Sequence, residues 1–166
     1  MILASVKEDL LKMAGEAVVP PAVAAAEGQA AVVPRAAVME TAYARTGYHL
    51  DAVVVPATVV PAAGVLDRHG FFLETITGVD WLQERQMEVI YDFAHPQELC
   101  RVVLRLRVAR VNPEVPTISG VFPGADWHER ETHDFFGIRF AGLANPGPFL
   151  LAEDATFHPL LKDYGT

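Results

Sequence analysis

Apolar residues recur at helical spacing from the start of the chain. Leu3, Val6, Leu10 and Met13-Ala14 alternate with Lys7, Glu8, Asp9 and Lys12, which predicts an amphipathic helix with Gly15 as its C′ residue. Ala17 to Pro34 is an Ala/Val/Pro-rich stretch containing Pro20-Pro21 and Gly28. A strand with a loop and a short helix after the prolines both fit it. Thr58 to His69 reads as a second helix ending at Gly70, with Pro61 in its first turn, where a missing N–H costs nothing.

The period then changes. Phe71 to Val79 is rich in β-branched and aromatic residues and reads as a strand, with Asp80 to Gln86 as the turn. Met87, Val89, Tyr91 and Phe93 alternate with Glu88, Ile90 and Asp92, so the returning strand has one largely apolar face. Pro96 to Leu99 could start a short helix. Val102 to Val108 is a further strand, with Arg105 and Arg107 on one face and Leu104, Leu106 and Val108 on the other; Val115 to Val121 is a short extended segment.

Trp127 to Phe136 reads as a helix, with Pro123-Gly124 before it and Gly137 where a left-handed C-cap falls. Past residue 141 the periodicity fades into glycines and prolines. Such a segment is expected to lie along another surface. The expectation is an α+β fold: a mixed or antiparallel sheet packed with helices over residues 1–140, then an extended, partner-binding C-terminal tail over residues 141–166.

Composition narrows the function. The chain has 166 residues, of which 51% are hydrophobic and 20% charged, enough for a core. Its net charge of -8 argues against a nucleic-acid role and against direct binding of anionic lipid. The longest uncharged apolar run, interrupted by Pro56 and Pro61, is too short to span a bilayer, and no secretory signal is read at the start. The single Cys100 excludes an intramolecular disulfide and a self-contained iron–sulfur cluster, and reads as a small buried hydrophobe in a strand. His95, before Pro96, reads as a surface turn residue, and Asp80-Trp81 as structural residues of a hairpin turn.

The run WHERETHDFFGIRF, Trp127 to Phe140, carries the densest chemistry. His128, Glu129 and His133 resemble a zinc-protease helix, but the histidines are one position too far apart. On a helix they diverge by about 140°, so the spacing argues against a shared metal. Glu129 with His133, and Arg130 with Asp134, stand at (i, i+4) and can pair on a helix surface. Trp127, Glu131, Asp134 and Phe135 fall within about 100° of one another. Two acids and two large aromatics on one face suit a protein interface or an ion-pair network better than catalytic carboxylates. No Gly-rich dinucleotide loop, phosphate-binding loop or nucleophile elbow is present.

These residues carry a family resemblance. Trp127, Glu129, Arg130, Glu131, Asp134, Phe136, Gly137, Ile138, Phe140 and Gly142 match the signature that resembles the thirty-kilodalton subunit (30 kDa subunit) of respiratory NADH:quinone oxidoreductase, complex I. FLETITGVDW, MEVIYDF and FPGADW look like its upstream units, and HPLLKDY like its tail. The likeness covers residues 70–166. Leu143-Ala144 and Leu161 depart from the pattern, and FLLAEDATFHPLLKDY is similar to the tail of membrane-bound hydrogenase and formate hydrogenlyase complexes.

The resemblance implies a subunit without flavin, cluster, nucleotide or metal of its own. NADH, FMN, iron–sulfur clusters and quinone are then expected in partner subunits, and the catalysis with them. It implies packing against the large quinone-site subunit and other peripheral-arm subunits, on the cytoplasmic side of the bacterial inner membrane. The signature helix (Trp127, Glu129, Arg130, Glu131, Asp134, Phe136, Gly137) is then expected to seat the partner, with His158, Lys162 and Asp163 anchoring the tail. The equivalent subunit of an energy-converting hydrogenase is the nearest rival; a standalone metallohydrolase or a small-ligand-binding module stands further off.

Overall fold

A computed structural model describes residues 2–16 and 38–165. The Ala/Val/Pro-rich stretch from Ala17 to Pro34 lies outside them. The elements are α1 (Ile2–Glu16), β1 (Val38–Glu40), α2 (Tyr43–Thr46), β2 (Leu50–Val54), α3 (Pro56–Arg68), β3 (Phe72–Trp81), β4 (Gln86–Ala94), β5 (Arg101–Ala109), β6 (Glu114–Pro116), α4 (Ala125–Phe136) and β7 (Arg139–Ala141).

Five strands form one mixed sheet in the order β1-β2-β5-β4-β3. The β2–β5 pair is parallel and the other neighbours are antiparallel. Helices α1 and α3 pack on its inner face, where Val6, Leu10, Val59 and Leu66 meet Leu50, Leu104, Leu106 and Val89 as buried side chains. The α+β expectation holds. The alternation in β4 is realised: Met87, Val89, Tyr91 and Phe93 are all buried. Helix α4 packs on β3 at the far edge of the sheet. A Cβ at Gly78 would meet the Phe136 ring at 2.5 Å, so the bare backbone lets α4 come this close.

Several boundaries differ from the sequence reading. Helix α1 continues to Glu16, so Gly15 lies inside it. Helix α3 starts at Pro56 with Val55 as its N-cap, and the hydroxyl of Thr58 in the first turn accepts from the Val55 N–H at 3.1 Å. Pro61 therefore stands inside the helix, on its exposed side, where the carbonyl that loses its helical donor can turn to solvent. Asp80 and Trp81 belong to β3, and the hairpin turn is shorter than read. Pro96 to Leu99 forms turns without a helix, and only Val115 and Pro116 of the Val115–Val121 segment are in a strand. Cys100 is buried but precedes β5. His95 is half-buried and structural: its Nδ1 accepts from the Gln97 and Glu98 N–H groups.

Candidate functional site

Helix α4 ends at Gly137, whose φ of 73° and N–H donation to His133 O form the left-handed cap read from the sequence. From there the chain makes the short strand β7 and runs back across the helix. The backbone of this irregular tail takes its hydrogen bonds from α4 and β3 side chains.

Asp134 is the first fixing point. Its buried carboxylate accepts from the consecutive N–H groups of Phe149, Leu150 and Leu151 at 2.9, 2.6 and 3.0 Å. Burial pushes this carboxyl up, but the three donors outweigh it and hold it below the ordinary range. Arg130 is the second. Its guanidinium donates to Gly147 O at 3.0 Å and Pro148 O at 2.8 Å, and lies 5.3 Å from the ring centres of both Trp127 and Phe149. The (i, i+4) pairing of Arg130 with Asp134 is therefore not made. The acid takes the tail's donors and the base takes its acceptors, which satisfies backbone groups that lack a ladder of their own.

His158 is the third point. Its Nδ1 donates to Asp134 O at 2.9 Å, and its ring covers Gly137 and meets the His133 ring edge-on at 5.8 Å. Leu160 N–H donates to Phe135 O at 3.1 Å. The fourth lies on β3. Asp80 is gripped bidentately by Arg110 at 2.8 and 3.0 Å and accepts from Lys162 N–H at 2.9 Å, while Arg110 also reaches Asp163 at 2.6 Å. Lys162 thus anchors through its backbone, with its side chain exposed. Sequence reasoning misses Asp80 and Arg110 as tail-holding residues, although the VDW motif ending β3 is a signal for the first.

Glu129 faces the other way. It is fully buried beneath α4, accepting from Ile118 N–H at 2.8 Å and from the Thr117 hydroxyl. Its predicted pairing with His133 does not form, because His133 Nδ1 donates to Ile138 O at 3.0 Å. Burial outweighs these hydrogen bonds and pushes the Glu129 carboxyl up to about 7. His128, Glu129 and His133 do not converge, and among the described residues no three His, Cys, Asp or Glu side chains lie close enough to share a metal. The metallohydrolase reading has no geometric support there.

The predicted mixed face of α4 is divided by the tail. Asp134 is covered and Phe135 half-covered, whereas Trp127 and Glu131 remain exposed. Trp127 packs against Phe149 at 5.0 Å, and Phe157 stacks on Tyr164 at 5.7 Å. With Leu150 and Leu160, these side chains put large apolar groups at the surface.

Residues 52–166 match the family model described as the respiratory-chain NADH dehydrogenase, 30 Kd subunit. The chain belongs to this 30 Kd subunit family. It is 32% identical over 122 residues to the C subunit of an NADH-quinone oxidoreductase from Moorella thermoacetica, covering 69% of this chain and 82% of that protein. The corresponding C subunit from Roseiflexus sp. is 44% identical over 93 residues, 55% of this chain and 53% of that protein, so the chain matches only about half of that relative's length. Two solved structures share the fold. One is a trypsin-resistant fragment of Nqo5 (TM-score 0.56, 24% identity, 65% of this chain and 87% of that one). The other is a membrane-bound sulfane sulfur reductase, an archaeal respiratory membrane complex (TM-score 0.57, 24% identity, 64% of this chain and 63% of that one). Among the described residues no helix is long and apolar enough to cross a membrane.

Proposed function

We propose that this chain is a structural peripheral-arm subunit of a proton-translocating NADH:quinone oxidoreductase. It packs against the large quinone-site subunit and supports electron transfer from NADH to quinone without carrying a redox cofactor; NADH, FMN, iron–sulfur clusters and quinone belong to its partners. The carrying observation is the surface made by α4 and the tail, where Trp127, Phe149, Leu150, Phe157, Leu160 and Tyr164 stay exposed while the backbone between them is held by buried charges. Family membership gives that surface its context. In this reading Trp127 and Glu131 meet the partner directly. Arg130, Asp134, Gly137 and His158 shape the surface from behind, Lys162 and Asp163 fix its end on β3, and Glu129 and Phe136 seat α4. The subunit sits peripherally on the cytoplasmic side of the bacterial inner membrane.

A second reading, the equivalent subunit of a membrane-bound hydrogenase or formate hydrogenlyase complex, draws on the tail sequence FLLAEDATFHPLLKDY with Leu161 before Lys162. Purifying the tagged chain from its host and identifying the chains that accompany it tests both. Flavin- and NADH-binding subunits support the first reading. A nickel-binding large subunit with intact cysteines supports the second. Recovery as a free monomer overturns both.

A further inference from the structure

The chain is acidic overall, with a net charge of -8. Yet a cleft of about 370 Å³ between α4 and β7 is lined by Arg130, Arg139 and His133 over Phe140 and Leu143, with Glu114 as its one carboxylate among the described residues. We propose that this cleft receives a carboxylate side chain of the partner subunit. The inference rests on the reading that this face meets another chain, and adds the chemistry of what it takes.

The cleft is built for one negative charge. Glu114 answers one guanidinium, holding Arg139 at 2.8 Å, and leaves the second arginine's charge in excess. Arg130 spends Nε and one terminal nitrogen on tail carbonyls, and its other terminal nitrogen makes no hydrogen bond among the described residues. His133 donates its Nδ1–H to Ile138 O, which leaves Nε2 as an acceptor, so the donors for a visiting carboxylate are the arginines. The uncommitted terminal nitrogen of Arg130 and the nitrogens of Arg139 not turned to Glu114 can each donate to one oxygen of a carboxylate. A phosphate dianion fits less well, because Glu114 would oppose its second charge. The Arg130 guanidinium also lies against Trp127 and Phe149, so the cleft is continuous with the exposed aromatic surface. The partner segment is therefore an acidic side chain flanked by apolar ones, an aromatic-and-arginine pairing typical of interface centres.

Arg139 is the residue to probe, since its side chain is 62% exposed. In the complex purified from the host, Arg139→Lys places a primary amine in the cleft, and a zero-length carbodiimide then joins it to any carboxylate in contact. A cross-link from position 139 to an Asp or Glu of another chain is the expected result. A cross-link to Glu114 alone, or none at position 139 in an intact complex, overturns the proposal. Arg139→Gln and Arg139→Glu, with folding checked by thermal unfolding, give a second measurement. Retention in the complex on rising salt should fall from wild type to Gln to Glu, and equal retention of all three overturns the proposal. If even the wild-type chain joins no complex, the structural-subunit reading itself fails, which these outcomes keep distinct.

Discussion

The imidazole of His158 lies against the bare Cα of Gly137, where a Cβ would approach it to 2.8 Å. Gly137 also has a φ of 73°, so it answers two demands at once. A side chain there meets the left-handed penalty of about 1–2 kcal/mol, and must displace His158 as well. Gly47, with a φ of 80° and nothing within 4 Å of its would-be Cβ, faces the first demand alone. Gly137→Ala should therefore destabilise the domain more than Gly47→Ala in urea unfolding. Adding His158→Ala to Gly137→Ala should relieve the steric part of the loss, read as a coupling energy in a double-mutant cycle. Equal costs for the two glycine substitutions would mean that His158 yields freely.

Asp134 holds the tail through charge-assisted hydrogen bonds, of a kind that contribute about 1.5–3 kcal/mol each. Asp134→Asn keeps the shape but loses the charge. Hydrogen exchange at the amides of Phe149, Leu150 and Leu151 should speed up, while the β4 and β5 amides stay protected. The same contact gives a pH dependence. The folded carboxyl lies below its ordinary 3.8, so its contribution is fully present above that value and is lost as pH falls through the lower folded value. Acidification below about pH 4 should release the tail in wild type and change little in the Asn variant. Unchanged exchange in the variant would exclude Asp134 as the fixing point.

The parts of this site visible in the sequence are those set by local repeats. Met87 to Phe93 reads as a strand because Met87, Val89, Tyr91 and Phe93 make one buried apolar face, opposite which Ile90 and Asp92 are half-buried and Glu88 is buried against Trp81 and Arg107. Gly137 reads as a cap because a left-handed residue after an amphipathic run favours glycine. Strand β2 leaves no such signal: Leu50, Asp51, Ala52 and Val54 are all buried between β1 and β5, so the alternation that marks a half-exposed strand is absent. Helical spacing places Arg130 beside Asp134 but does not say that both turn to tail backbone far along the chain. Those partners are backbone atoms, which leave no residue-type signal. The Asp80–Arg110 grip joins residues on separate elements, and only its acid stands in a recognisable motif.

Asp80 tests how much the β3 fixing point matters. Its side chain is fully buried, and Arg110 is its charge partner. Burial pushes this carboxyl up, yet Arg110 and the Lys162 N–H bring it below the ordinary range. Arg110→Ala leaves a buried carboxylate with one backbone donor, and should cost about 3–5 kcal/mol. Asp80→Asn combined with Arg110→Met removes both charges and should recover much of that loss, since an absent pair costs less than a broken one. Thermal unfolding of the two variants decides it. A double variant no better than Arg110→Ala would show that the two side chains act independently.

Glu129 predicts the opposite pH dependence from Asp134. Burial is the largest influence on it, and Thr117 and Ile118 only partly offset the rise to about 7 from an ordinary 4.5. A raised carboxyl means that the folded state binds the proton more tightly than the unfolded state. Between the two values the folded chain carries more protons, so stability falls as pH rises, and above the upper value the loss is complete. At about 1.4 kcal/mol per pKa unit the loss is on the order of 3 kcal/mol. Glu129→Gln keeps an acceptor for the Ile118 N–H and has no charge to bury. Its urea midpoint should stay flat between about pH 5 and 8, where the wild-type midpoint declines. The decline should also survive in Tyr91→Phe, because the buried Tyr91 hydroxyl makes no hydrogen bond among the described residues and so none to Glu129. A wild-type midpoint as flat as the Gln variant's would place the Glu129 carboxyl in its ordinary range and remove the buried proton from the account.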